Sequence, residues 1–271
     1  MSTSSAEEIL LALSQASPSV LNKGVDGNRE RITSEVAQLA ARNHPTREAF
    51  EEFGRLLRDF DNRRFTRADK TLVEGLNPVW DGYYQDFQTI FRESVAETRE
   101  IKFICDDYLE MVLPAIDEGG LNTTDLREIA AEYKEKLARH ERIFEYHQGQ
   151  FDKLGRDLRD FNSKVNEAIL LAKRGLDEPT AAGQRREELV QLEKRIVDSV
   201  EKVDIIHGTV NALAIFWKTT GVDMNMMVSR LGEATTESID TNFTLRKSVR
   251  SAGDVFVTLR SVMRAYAPEA E

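Results

Sequence analysis

Residues 189–231 read LVQLEKRIVDSVEKVDIIHGTVNALAIFWKTTGVDMNMMVSRL, and the apolar period within them decides the fold. Alternating steps of three and four from Leu189 land on Leu192, Ile196, Ser199, Val203, Ile206, Val210, Leu213, Trp217, Thr220, Met224, Met227 and Leu231 without a slip. All of these positions except Ser199 and Thr220 are apolar. Such a repeat is the a/d seam of helices packed along their length, and no proline interrupts it. Extra apolar residues flank the seam only in its second half, at Ile205, Ala212, Ile215, Phe216, Met226 and Val228. That half is therefore expected to be buried on two or three sides, and the first half on one. Asp204, His207, Asn211, Lys218 and Asp223 break up the apolar run, which excludes a membrane-spanning helix.

The same stepping succeeds on either side. One seam runs through Leu137, His140, Phe144, His147, Phe151, Leu154, Leu158, Phe161, Val165, Ala168 and Ala172. Another runs through Tyr84, Phe87, Phe91, Ser94, Thr98, Ile101, Cys105, Tyr108 and Val112, and the last through Leu245, Val249, Ala252, Phe256, Leu259, Met263 and Tyr266. Breakers separate them: ASPSVLNKGVDGN (16–28), RNHPT (42–46), EGLNPVWDG (74–82), LPAIDEGGLNTT (113–124), RGLDEPTAAG (174–183) and the softer RLGEATTES (230–238). The predicted elements are a short amphipathic helix at about 5–16 and long helices at about 80–116, 123–175, 182–232 and 235–266. The fold class is all-α. The expected architecture is a single elongated domain over 1–271, an antiparallel bundle of four to five long coiled-coil-like helices with a short N-terminal helix.

Composition agrees and removes several functions. Only six prolines and 15 glycines occur in 271 residues, and 41% of the chain is hydrophobic against 31% charged. A net charge of −10 opposes sequence-independent nucleic-acid binding, which requires Lys and Arg to neutralise phosphates. The single cysteine, Cys105, permits no internal disulfide. The opening MSTSSAEEILLALSQAS lacks a basic n-region, so no signal peptide or transmembrane helix is read. The expectation is a chain made soluble in the cytoplasm, with any release by a non-classical route.

No catalytic constellation, metal motif, cofactor motif or small-molecule site is read. A di-iron bundle requires Glu-x-x-His on two helices, and the chain has none. Cys105 sits on a seam and is followed by Asp106 and Asp107, an environment that suits a small hydrophobe better than a nucleophile. His140 and His147, seven residues apart on one seam, are read as buried, hydrogen-bonded histidines or as a pH-sensitive pair. Two segments offer contact surfaces for a membrane or partner. The first helix opens with a Ser5…Glu8 capping box and packs Ile9, Leu10, Leu11 and Leu13 together, so it either docks on the bundle or detaches. The second is the end of the 123–175 helix, where Ile169, Leu170 and Leu171 precede Lys173 and Arg174, basic residues that also suit a helix C-terminus.

Long antiparallel helices, a detachable first helix and the late tryptophan-bearing segment NALAIFWKTTGVDMNMMVSRL resemble the α-helical pore-forming toxins of the cytolysin A, haemolysin BL and xenorhabdolysin group. The resemblance is architectural and covers roughly residues 5–266. It implies a soluble form that unlatches, oligomerises and acts on membrane lipid, alone or with a second toxin subunit. Family members carry a hydrophobic hairpin between two long helices, whereas the turns here, PAIDEGGLNTT and RGLDEPTAAG, are short and polar. Insertion would then rest on the N-terminal helix, or the chain would be a non-lytic component. The competing class is a cytoplasmic coiled-coil scaffold or adaptor, equally acidic and equally free of catalytic motifs.

Overall fold

The computed structural model describes residues 26–176, 183–234 and 242–268, and its architecture is all-α. The helices are α1 (Asp26–Ala41), α2 (Asn43–Asn62), α3 (Asn77–Asp107), α4 (Leu113–Asp117), α5 (Thr123–Leu176), α6 (Gly183–Asp198), α7 (Val200–Ala234) and α8 (Asn242–Tyr266). A π-helical turn, Tyr108–Val112, joins α3 to α4. The seams are core: every position from Leu189 to Leu231 is buried except the half-buried Ser199, and every position from Leu245 to Tyr266 is buried. Ala212, Ala214 and Phe216 are buried beside Leu213 and Trp217, whereas Val190 and Val197 are more than half exposed. Full burial of each large side chain stabilises by about 1.5–3 kcal/mol, which offsets the cost of ordering such long helices.

The helices depart from the local period at two places. The helix expected over 182–232 breaks at Ser199, where the hydroxyl donates to the Arg195 carbonyl (2.8 Å) and the amide to Ile196 (3.1 Å). Thr209 and Thr220 make the same hydroxyl bond inside α7 without ending it, so what marks the break is the Ser199 amide's three-residue bond. The π-helical turn precedes Pro114, which lacks an N–H and whose ring crowds the carbonyl four residues back; Leu113 instead donates to the Tyr108 carbonyl.

The chain divides into two compact units, both discontinuous in sequence: 1–41, 91–150 and 212–271 form the first, and 42–90 and 151–211 the second. In the first unit α1 packs on α8. Tyr108 donates its hydroxyl to the Val249 carbonyl (2.5 Å) and stacks on Phe256 (3.9 Å between centroids), with Tyr133 edge-on at 4.9 Å. Arg246 donates to the carbonyls of Ile116, Gly119 and Leu121, satisfying the end of α4 where Gly119 turns at φ +77°.

In the second unit α2 packs on α6. Its core is aromatic. Trp80 packs against Phe53 (4.8 Å), Phe50 (5.1 Å) and Phe161 (5.4 Å), and its indole N–H donates to the Phe50 carbonyl at 2.9 Å. Asp61 caps α3, accepting from the amides of Leu76 (2.9 Å) and Asn77 (2.8 Å), where a carboxylate also meets the favourable end of the helix dipole. Between α2 and α3 the chain makes a small antiparallel bridge, Thr66 to Leu72, which no period in the sequence announced.

Candidate functional site

Groups with unspent chemistry gather in the first unit, along α3, α5, α7 and α8. On α3, Glu93, Glu97 and Glu100 recur at helical spacing and share a face, with Ser94 and Thr98 buried beside them. On α5, His140 and His147 recur at a heptad. His140 Nδ1 is in hydrogen-bond contact with a Glu97 carboxylate oxygen, and both side chains are largely buried. Glu100 is exposed, and one oxygen of it, one of Glu97 and a ring nitrogen of His140 all lie within 4.8 Å of one another. Glu93 accepts a long hydrogen bond from Tyr146 (3.5 Å).

His147 sits deeper. Its ring lies 4.6 Å from the Trp217 indole, and its Nδ1 has no hydrogen-bond partner. Burial pushes its pKa below the usual imidazole value, with the charges of Glu97 and Glu93 pulling the other way. Trp217 stands edge-on to Tyr266 at 6.0 Å, and Phe216 stacks on Tyr266 at 4.6 Å. The Tyr266 hydroxyl, in turn, is hydrogen-bonded to Ser94 Oγ (2.8 Å). Two turns along α7, Asp223 is buried with Oδ1 unpartnered, and desolvation pushes its pKa up to about 7. An orphaned carboxylate in an apolar core holds its proton near neutrality because ionising it there is expensive.

The remaining sequence candidates divide. Ile9, Leu10, Leu11 and Leu13 lie outside the described residues. Ile169 is core, Leu170 is exposed, and Leu171 lines a cavity of about 240 Å³ in the second unit. That cavity is walled by Val79 and Phe161 and edged by Arg67, Glu74, Lys164 and Glu167. Lys173 pairs with Glu193 (2.7 Å), and Arg174 is exposed. His44 pairs with Glu48 on the surface (3.3 Å), and His207 contacts Arg159 (3.3 Å). Cys105 is fully buried and its thiol is pushed up by desolvation, an inert environment.

Sequence reasoning placed both histidines on a seam but missed the three glutamates and Asp223. The signal available was the 93-97-100 spacing of α3, which leaves open which helix faces it. Comparison with protein-family models, with characterised proteins and with solved structures returns no match.

Proposed function

We propose that this chain is a non-enzymatic, membrane-acting helical protein of the pore-forming-toxin type, or a non-lytic component of such a system. It meets lipid through exposed apolar residues and self-associates there. One observation carries the reading. In the second unit Leu72 (53% exposed), Leu170 (47%) and Val79 (37%) stand in solvent; Val79 lines the cavity with Arg67, Lys164, Glu74 and Glu167, and Arg174 is exposed four residues beyond Leu170. Apolar side chains flanked by basic ones suit the boundary between headgroups and acyl chains. Two further features support it. Among the described residues no helix is long and apolar enough to cross a membrane, so contact falls to amphipathic elements. The core of the first unit also retains unpartnered Asp223 and His147, polar burials that lower the cost of opening it. The N-terminal segment with Ile9, Leu10, Leu11 and Leu13, which the sequence predicts to be amphipathic, is the proposed second contact.

The test is co-sedimentation and dye release with phosphatidylcholine vesicles, with and without phosphatidylserine, at pH 7 and pH 5. The reading expects binding and release, reduced several-fold by Leu170→Glu at unchanged melting temperature and by removal of residues 1–16. No binding and no release in any vesicle, with a monodisperse species in detergent, overturns it in favour of a cytoplasmic scaffold or adaptor.

A further inference from the structure

We propose that Glu97, Glu100 and His140 form a binding site for a divalent transition-metal ion, with Zn²⁺ the best-matched species. The proposal is independent of any action on membranes. The site joins two helices: α3 supplies both carboxylates from positions three residues apart on one face, and α5 supplies the imidazole through Nδ1.

The first argument is geometric. Ligands at 2.0–2.2 Å in a tetrahedral zinc site stand roughly 3.4 Å from one another. The three donor atoms here already lie within 4.8 Å of each other, and Glu100 is an exposed side chain with rotamers to spare.

The second argument is charge. Two other acids of α3 are neutralised by lysine or arginine. Asp107 accepts from Tyr133 (2.5 Å) and Lys136 (3.2 Å), and Asp106 pairs with Lys102 (3.0 Å) and Arg260 (3.7 Å). Among the described residues no lysine or arginine pairs with Glu97 or Glu100; the histidine is the one basic group that touches the pair. Two carboxylates beside one imidazole, half withdrawn from water, leave negative charge that a bound dication balances.

Donor chemistry then selects the metal. An imidazole nitrogen favours zinc, copper, nickel or iron over calcium and magnesium, which take oxygen ligands. Three protein ligands leave a fourth position at the exposed Glu100 side for water. A Glu-x-x-His search misses this arrangement because the carboxylates and the imidazole come from different helices.

The test uses the full chain, stripped with EDTA and titrated calorimetrically with Zn²⁺ and, separately, with Ca²⁺. The expected result is one Zn²⁺ per chain, no saturable Ca²⁺ binding at the same concentrations, and a higher melting temperature in the zinc form. His140→Ala and Glu100→Gln should each weaken zinc binding tenfold or more, since even outer-shell changes cost 10–100-fold. His44→Ala, on the surface pair, should leave binding unchanged. Glu100→Gln is the decisive variant, because Glu100 is exposed and its loss spares the fold. No saturable Zn²⁺ binding by the wild-type chain, or binding of unchanged affinity in a folded Glu100→Gln variant, overturns the proposal.

Discussion

The imidazole of His147 lies 4.6 Å, centroid to centroid, from the indole of Trp217, and His147 Nδ1 meets no hydrogen-bond partner. The groups facing this histidine are Glu93 and Glu97 of α3 and the aromatic ring of Trp217 on α7. Burial outweighs the two carboxylates and holds the folded-state pKa below the free value of 6.5. Where the folded pKa is the lower one, the unfolded chain binds more protons, so stability is complete above about pH 6.5 and falls as pH drops below it. Thermal melts should therefore show a loss of stability between pH 7 and pH 5 that His147→Phe reduces while leaving the pH 8 value little changed. An identical pH profile in the two proteins would place the acid sensitivity elsewhere.

Asp223 works in the opposite direction. Its pKa rises from 3.8 to about 7 on folding, so the native state holds a proton that the unfolded chain releases from about pH 4 upward. Its destabilising effect grows through that window and levels off above pH 7. At 1.36 kcal/mol per unit, the upper limit is about 4 kcal/mol. Asp223→Asn should raise stability in urea at pH 8, and the difference should vanish by pH 4. A variant equally or less stable at pH 8 would mean that the carboxylate has found compensation.

Gly175, in the last turn of α5, passes so close to the 63–76 connection that a Cβ there would stand 1.8 Å from the Thr66 carbonyl oxygen. The obstacle is backbone, so the two segments must separate. Gly175→Ala should cost about 1–3 kcal/mol, the usual scale of overpacking, despite alanine's better helix propensity. Denaturant midpoints decide it, and an unchanged or raised midpoint would refute the close approach.

Trp80 binds the second unit's core through both packing and a hydrogen bond, its indole N–H reaching the Phe50 carbonyl at 2.9 Å. Trp80→Phe keeps an aromatic ring and loses only that bond, because the Phe50 carbonyl lies inside α2 and keeps its place in the helical ladder; the cost should be about 0.5–1.5 kcal/mol. Trp80→Ala adds a cavity and should cost about 3–5 kcal/mol. Equal losses in the two variants would show that the hydrogen bond, not the packing, dominates.

Cys105 should resist a thiol reagent in the native chain and react fully in denaturant, because the thiol is fully buried and desolvation disfavours the thiolate. Rapid labelling of the folded protein would show that the seam between Ile101 and Tyr108 opens.

Much of this architecture was legible in advance at particular residues. The steps from Leu245 to Tyr266 all fall on buried side chains, as do those from Met224 through Met227 to Leu231. Arg42 alone parts α1 from α2, at the head of the RNHPT stretch, and the rest of that stretch is already helical. Ser199 was legible only as a polar seam position; that its amide would bond Ile196, three residues back, where α6 ends is a local departure that periodicity does not measure. Likewise Pro114 was visible as a breaker, yet the helix continues through it by way of a π turn.

The sequence by itself determined the all-α class and the buried stripes of the four long heptad segments, though not α1 or α2, because a seven-residue period is a local property that a window of chain displays. It marked His140 and His147 as seam residues, and Asp223 only as a charge interrupting an apolar run. The tertiary structure decided which faces meet. It brought Glu97 and Glu100 to His140, set His147 against Trp217, and left Asp223 in the core with an oxygen unpartnered. Those relationships join residues tens of positions apart on separate helices, and only the packing of one helix against another selects them.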